Sequence, residues 1–170
     1  MSRDAGALSS RMALRPVSEA DDAFLYSVYA GTRAEEMARV PWTPEQKEAF
    51  LRMQFTAQKQ HYAAEFPHAQ QDLILLDDAP VGRLYLARNA EALHILDITV
   101  LLDRRNAGIG SAMLGRIQRE AAGSAVPVTI YVENFNPSLR LFSRLGFQPT
   151  EEKGFHYLMK WMPAQPSLAP

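Results

Sequence analysis

A glycine-bearing loop between an apolar strand and an amphipathic helix is the segment best equipped for chemistry. The loop reads DRRNAGIG over residues 103–110, and the predicted helix begins at Ser111. Unpaired backbone N–H groups and the helix dipole both favour an anion at such a helix start. Glycine lets the backbone approach a phosphate closely, and the guanidinium groups of Arg104 and Arg105 suit phosphate oxygens. The loop therefore predicts a ligand that carries phosphate.

Two common phosphate-binding motifs do not fit this loop. A P-loop needs Gly-Lys-Ser/Thr at the helix start, where this chain has Gly110-Ser111-Ala112. A dinucleotide-binding turn needs a third glycine where Met113 stands, and an acidic residue about 20 positions later at a strand end. The spacing that does fit is R-x-x-G-x-G, from Arg105 to Gly110, after a strand ending in VLL.

This loop resembles the coenzyme A pyrophosphate loop of the GNAT N-acetyltransferase superfamily. A second stretch, VTIYVENFNPSLRLFSRLGF, is similar to the fifth strand of that family, the Asn-Pro that opens its next helix, and its L-Y-x-x-L-G-F ending. Taken singly, a GxG loop, an N-capping asparagine and a Leu-Gly-Phe helix stop are ordinary structural features. Together, on the right elements, they carry a resemblance that covers about residues 11–162 and is firmest over 93–148.

The resemblance implies the fold and the cofactor. We expect an α/β (α+β) fold with a GNAT-like mixed, mostly antiparallel central sheet flanked by helices. Its central strands, 93–102 and 127–132, would splay apart around acetyl-CoA. The strand end would pair with the pantetheine arm, the turn amides would hold the pyrophosphate, and Asn136 would bond to the pantetheine side. The expected cofactor-binding residues are Val100, Leu101, Leu102, Arg104, Arg105, Asn106, Ala107, Gly108, Ile109, Gly110, Ser111 and Asn136.

The implied reaction is direct transfer of the acetyl group to a primary amine of a small molecule or a protein. No acyl-enzyme is expected, and the absence of cysteine agrees with that, although a serine intermediate stays open. Whether the donor is acetyl-CoA or another acyl-CoA also stays open.

Asp97 is the first candidate for the base that deprotonates the amine. It is the one carboxylate inside the central strand, and it stands three residues before Val100, where members of the family often place an acid. The alternative is a structural carboxylate satisfied by hydrogen-bond donors. Glu133, at the end of the next predicted strand, is the second candidate and could act through water.

The catalytic acid is where the chain departs from the family pattern. The tyrosine of L-Y-x-x-L-G-F is Phe142 here, which has no proton to give. Either Tyr131 or another tyrosine takes that role, or the thiolate leaves unassisted, which a thiol with a pKa of about 8.5 allows near neutral pH.

Other readings of the same residues predict different behaviour. A GNAT-like module that binds CoA without turnover, as a sensor or interaction domain, is favoured by Phe142. A nucleotide-binding protein that uses the same turn would bind ATP or NAD instead. Metal catalysis is not expected, because the chain has no cysteine and its four histidines lack a ligand spacing such as H-E-x-x-H.

Periodicity and capping residues predict the element order β-α-α-β-β-β-α-β-α-β-β. Strands are expected at 12–16, 73–76, 81–87, 93–102, 127–132, 147–150 and 155–161. Helices are expected from Ser18 to about 32, over 44–62 with Thr43 as N-cap, over 111–122, and from Asn136 to Gly146. The 44–62 helix has two apolar faces, so it either lies between core elements or also faces a ligand cleft or a second copy in a homodimer.

Length and composition indicate one domain of 170 residues with ordinary globular character, 47% hydrophobic and 22% charged. The 18 basic and 19 acidic side chains leave a net charge of −1, which argues against a nucleic-acid partner. With no signal peptide and no long apolar run, we expect no membrane association and a cytoplasmic location. We expect residues 1–10 to be a flexible N-terminus, 11–162 the catalytic domain, and 163–170 a tail outside the core.

Overall fold

A seven-stranded sheet in the order β1-β2-β3-β4-β5-β7-β6 organises the computed structural model, which describes residues 2–164. The strands are β1 Met12–Pro16, β2 Gln70–Leu76, β3 Ala79–Arg88, β4 Leu93–Val100, β5 Val128–Glu133, β6 Gln148–Lys153 and β7 His156–Trp161. The helices are α1 Ser2–Arg11, α2 Asp22–Thr32, α3 Ala34–Ala38, α4 Pro44–Glu65, α5 Ile109–Gly123 and α6 Leu139–Arg144. None of the helices in this described part is long and apolar enough to cross a membrane.

The centre of the sheet opens between β4 and β5. Every other neighbouring pair of strands is antiparallel, whereas β4 and β5 are parallel and end their pairing at Ile95 and Ile130, after three residue pairs. Beyond that point β4 stays bonded to β3 as far as Val100, and β5 stays bonded to β7 as far as Glu133. The predicted mixed, mostly antiparallel sheet with splayed central strands is therefore confirmed.

The alternation of side chains along the central strands separates two faces. Leu84 and Leu86 of β3 lie in the larger apolar core under α5 and α6. Arg83 and Tyr85 point the opposite way, toward α4. A second, smaller core lies on that face between α2, α3, α4 and β2. The strand thus buries its leucines on one face of the sheet and directs Arg83 and Tyr85 to the other face.

Capping residues fix where the longest helix begins. The Gln46 N–H donates to Thr43 Oγ1 at 3.3 Å, and the Thr43 N–H donates to Gln46 Oε1 at 3.0 Å, which is the reciprocal pattern of a capping box. The predicted N-cap of α4 is confirmed. The helix extends three residues beyond the expected end, to Glu65.

Residues 2–11 form helix α1, an element that the predicted order does not contain. The Arg11 guanidinium pairs with Asp77, and the Asp77 N–H donates to the Arg11 carbonyl at 3.0 Å. Leu8 packs against the larger core. The composition of this segment did not predict a helix, because most of its residues are small or polar. The contacts described here that hold it come from Leu8 and from the Arg11–Asp77 pair. Of the expected tail, residues 165–170 lie outside the described part, and 163–164 are in neither helix nor strand.

Gly82 marks a close approach between β3 and β4, and its replacement should be destabilising. A Cβ there would lie 2.4 Å from the Thr99 carbonyl oxygen and 3.1 Å from Val100 Cα, and neither backbone atom can swing aside. Gly82→Ala should lower the free energy of unfolding by about 1–3 kcal/mol, as overpacking does. Urea unfolding followed by circular dichroism measures it.

Gly115→Ala is the matched control for this substitution. Gly115 lies inside α5, where a Cβ would meet only the mobile end of Arg119 at 3.5 Å. This change should raise stability by about 0.5–1 kcal/mol. Equal unfolding midpoints for Gly82→Ala and the original chain would contradict the close approach.

Candidate functional site

The gap between β4 and β5 exposes one edge of β4. The Leu101 N–H donates to the Val81 carbonyl at 2.8 Å, so by alternation the peptide groups of Ile98 and Val100 face the other side. Within residues 2–164 no strand pairs with β4 on that side beyond Ile95. An extended ligand can therefore pair with this edge as a neighbouring strand would.

A bulge distorts β4 where the gap begins. Tyr85 of β3 is opposite Asp97 and Leu86 is opposite Ile95, so Leu96 is an extra residue on β4. Such a bulge bends the strand and increases its twist. The Tyr62 hydroxyl of α4 donates to the Leu96 carbonyl at 3.3 Å, which ties the bulge to the helix above it. Burial raises the pKa of Tyr62 to about 12, so this hydroxyl stays protonated at neutral pH.

The predicted phosphate loop ends in an uncapped helix start. A short 3-10 turn, Leu102–Arg104, follows β4, and Gly108 is the N-cap of α5 with a left-handed φ of 81°. Because a glycine cap has no side chain, nothing from it satisfies the first N–H groups of α5. The first helical bond runs from the Ala112 N–H to the Gly108 carbonyl. The N–H groups of residues 109–111 are thus available to an anion.

The other predicted cofactor residues surround this loop in different ways. Arg104 is exposed, and Arg105 Nε donates to the Val100 carbonyl at 3.2 Å, so this guanidinium lies back along the end of β4. The Ile109 side chain is buried in the larger core, so only its backbone can face a ligand. The remaining residues are half-buried or exposed: Val100, Leu101, Leu102, Asn106, Ala107, Gly108, Gly110 and Ser111.

Asn136 lies on the opposite wall, beyond the end of β5. Its Oδ1 accepts a hydrogen bond from the Ser138 N–H at 2.9 Å, so it orders the turn before α6, which begins at Leu139. A groove of about 480 Å³ opens here, and it is lined by Asn134, Phe135, Asn136, Pro137, Leu139 and Arg140. The Asn136 oxygen is engaged in the turn, and its amide group is the part that remains for a ligand.

Asp97 is held in a polar cluster. Its Oδ2 lies 2.6 Å from Arg83 Nη2, and its Oδ1 accepts from Thr99 Oγ1 at 2.5 Å. The Arg83 side chain is 1% exposed and Asp97 is 11% exposed. A buried guanidinium needs a counter-charge, so Asp97 has a structural duty whatever else it does.

Residues of α4 and β3 complete this cluster. Gln58 Oε1 accepts from Arg83 Nη2 at 2.9 Å, and the Tyr62 and Tyr85 rings meet edge-to-face at 5.7 Å. Arg83 Nε and Nη1 and the Tyr85 hydroxyl are buried without a hydrogen-bond partner in the protein. Sequence reasoning missed Arg83, although an arginine inside the apolar strand VGRLYLA is itself a signal that a buried carboxylate lies opposite.

Tyr131 and Glu133 lie on β5, on the same face of the sheet as Asp97. Tyr131 is 43% exposed and meets the His94 ring edge-on at 5.8 Å. His94 Nδ1 lies 2.8 Å from Thr129 Oγ1, and burial lowers the pKa of His94. Glu133 is half-buried and takes part in no ion pair among the described residues. The gap thus carries a paired carboxylate on one strand and a free one on the other.

Phe142 is part of the larger core. It is 3% exposed and packs edge-to-face on Phe147 with ring centroids 5.3 Å apart. A tyrosine at position 142 would therefore place its hydroxyl in or next to the larger core. Among residues 2–164, no three His, Asp or Glu side chains are grouped as a metal ion would require.

Solved structures share the fold of this chain. The PaiA N-acetyltransferase from Thermoplasma acidophilum, in complex with coenzyme A, is 14% identical, with a TM-score of 0.67 over 89% of this chain and 98% of that one. The ribosomal-protein-S18-alanine N-acetyltransferase from Escherichia coli is 12% identical, with a TM-score of 0.64 over 94% of this chain and 99% of that one. An acetyltransferase from Thermus thermophilus is 22% identical, with a TM-score of 0.61 over 88% of this chain and 94% of that one.

Sequence comparison gives the family directly. Among curated proteins no sequence matches this chain. The family model described as the acetyltransferase (GNAT) family matches residues 31–147, a span that contains the β4 edge, the loop and α6. The chain therefore belongs to the acetyltransferase (GNAT) family.

Proposed function

We propose that the protein transfers an acetyl group from acetyl-CoA to a primary amine of a small molecule or a protein. The observation that carries this proposal is the gap between β4 and β5, which runs along an unpaired strand edge to the uncapped start of α5. Coenzyme A carries both a pantetheine arm, whose amide groups can pair with a strand, and a diphosphate that needs N–H donors. Membership of the family supports acetyl transfer in general.

In this proposal the backbone of residues 100–102 pairs with the pantetheine arm. The N–H groups of the turn and of residues 109–111 bind the diphosphate, and the helix dipole adds to that attraction. Arg104 and Arg105 supply positive charge beside it, and the Asn136 amide reaches the pantetheine from the opposite wall. The acetyl group then lies where the strands part, beside the bulge at Leu96.

The amine attacks the thioester carbonyl directly. A new C–N bond forms, the carbonyl oxygen becomes an oxyanion that a backbone N–H of β4 stabilises, and the C–S bond then breaks to release CoA. The amine must give up its proton to a base, because an ammonium ion has no lone pair. The thiolate is a fair leaving group, so a tyrosine such as Tyr131 assists rather than controls this step.

Two carboxylates compete for the role of base. A proton on Asp97 Oδ2 would compete with Arg83 Nη2 for the same oxygen. Glu133 has no such partner and can accept the proton through a water molecule. Both remain candidates, and kinetics can separate them.

The acceptor would enter from the face covered by α2 and α4. Trp42 is 42% exposed and packs edge-on against Phe50 at 5.3 Å, and Met53 is 61% exposed, whereas Leu51 and Phe55 on the other side of α4 are buried. The second apolar face predicted for this helix is thus open at Met53, while Phe50 on the same face is half-buried against the smaller core. It forms a wall for an apolar part of the acceptor, or a contact in a homodimer.

A CoA-binding module without turnover is the second candidate function. The core position of Phe142 and the engagement of Asp97 by Arg83 favour it. A panel of amines with acetyl-CoA, read as release of free thiol, decides between the two. Amine-dependent thiol release supports the transferase, and CoA binding with no release from any amine supports the module.

Gly110→Val should weaken CoA binding about tenfold or more without unfolding the protein. The left-handed φ belongs to Gly108, and a Cβ at Gly110 would meet only Leu141 Cδ2, at an ordinary 3.7 Å. The new side chain therefore crowds the diphosphate rather than the protein. Calorimetry with CoA measures the loss.

Gly123→Val, at the far end of α5 where a Cβ meets nothing within 4 Å, is the control. Unchanged affinity in a folded Gly110→Val protein would place the diphosphate elsewhere.

Asp97→Asn and Glu133→Gln should identify the base. Removing a general base lowers kcat/KM by about 10²–10⁴-fold while the affinity for CoA holds. If Asp97 is the base, Asp97→Asn shows that loss and Glu133→Gln does not, and the reverse holds for Glu133. Losses below tenfold in both variants would show that neither carboxylate is the base.

Phe142→Tyr and Tyr131→Phe should each change kcat by less than about tenfold. We expect deprotonation of the amine to limit the rate more than departure of the thiolate, which needs little assistance from an acid. Phe142→Tyr should also lower stability, by about 1–3 kcal/mol, because its hydroxyl enters a core without a partner. A hundredfold rise in kcat for Phe142→Tyr would indicate a missing acid, and a hundredfold fall for Tyr131→Phe would place the acid on β5.

A further inference from the structure

Helix α1 packs directly against the turn that begins α5. The Leu8 Cδ2 methyl lies 3.3 Å from the place where a Cβ on Gly108 would stand. Apart from the chain neighbours of Gly108, no other heavy atom of the described residues comes within 4 Å of that place. Leu8 is therefore the side chain nearest to that place, although Gly108 itself stays exposed, and Leu8 also packs against the larger core.

The conformation of Gly108 decides where the first N–H groups of α5 point. Its φ of 81° is open to glycine and costly for other residues, and Asn106, two residues earlier, has a φ of 60°. No side chain caps the helix to hold this geometry. Gly108 has no side chain that restricts its own φ, so a contact from outside the loop adds to the restraint that the hydrogen bond from the Ala112 N–H places on its carbonyl.

Helix α1 is itself fixed at its other end. Arg11 Nε lies 3.0 Å from Asp77 Oδ1 and 3.2 Å from Oδ2, and the Asp77 N–H donates to the Arg11 carbonyl at 3.0 Å. The turn between β2 and β3 therefore sets the position of the helix, and the helix in turn presents Leu8 to Gly108. This chain of contacts runs from the sheet to the turn without using the loop itself.

We propose that Leu8 is a positioning residue for the binding of coenzyme A, acting through Gly108. This inference rests on the proposed function, in which the N–H groups of residues 109–111 hold the diphosphate. Leu8 touches neither the donor nor the acceptor. By restricting Gly108 it keeps those N–H groups converged, so the entropy of ordering the turn is already lost before the ligand arrives. Its effect is confined to donors that carry the diphosphate.

Leu8→Ala tests the proposal with two acetyl donors. Acetyl-CoA carries the diphosphate, and S-acetyl-N-acetylcysteamine keeps the thioester end without it. Leu8→Ala should raise the Kd for CoA and the KM for acetyl-CoA about tenfold, while kcat with acetyl-CoA and kcat/KM with the short thioester stay unchanged. Leu8→Met, which restores an apolar side chain of similar length, should recover the affinity. Ser10→Ala, at an exposed position on the same helix, should change neither value.

Each outcome of this experiment is decisive. Equal CoA affinity in Leu8→Ala and the original chain, or tighter binding, overturns the inference. An equal fall in kcat/KM for both donors also overturns it, because a general loss of structure would act on both. If the original chain itself fails to bind CoA, the proposed function fails first, and calorimetry on that chain alone shows it.

Discussion

Two neighbouring strands that hydrogen-bond for three residue pairs and then part create the site. The separation is tolerable because each strand keeps its outer partner: β4 stays paired with β3 and β5 with β7. Only the facing edges lose hydrogen bonds, and those edges line a gap that a ligand or water can enter. The extra residue Leu96 distorts β4 where the two strands part, and the Tyr62 hydroxyl of α4 donates a hydrogen bond to its carbonyl. A ligand with its own peptide-like groups can replace the missing strand.

The alternation of side chains explains why the polar cluster lies beside this gap. One face of β3 and β4 packs into the core under α5, so the residues between must face α4. Arg83 and Asp97 meet there, across the two strands, and the low exposure of both makes their pairing a structural necessity. Asp97 neutralises Arg83 only while it is ionised, whereas a base must bind a proton during the reaction and release it afterwards. The two roles therefore conflict. Glu133 is in no ion pair among residues 2–164 and is free of that conflict, which keeps β5 as well as β4 in the proposed chemistry.

Much of this arrangement could be predicted from the sequence, because the decisive signals are local. The Thr43 cap, the apolar run of β4, and the glycines before α5 each act within a few residues. The sequence could not tell that Gly108 rather than Gly110 has the left-handed φ, since both are glycines and the choice depends on how the turn meets the helix. The arginine in β3 signals a buried carboxylate, but the sequence does not identify Asp97 as that partner, because the register between β3 and β4 depends on the extra residue Leu96. Helix α1 was not predicted, because a contact that holds it joins residues far apart in sequence: Arg11 and Asp77 are 66 residues apart.

The two ends of the gap are held by different means, and this has a functional consequence. At the α5 end the groups that would bind the donor are backbone N–H groups, and their geometry depends on a glycine, a leucine from α1 and an ion pair on the β2–β3 turn. At the bulge end the geometry depends on side chains of α4 and β3 around a buried charge. The two sets share no residue and lie on opposite faces of the sheet. Under the proposed function, changes in one set should therefore act on donor affinity and changes in the other on turnover, nearly additively. Donor binding and acetyl transfer would then vary independently in this fold.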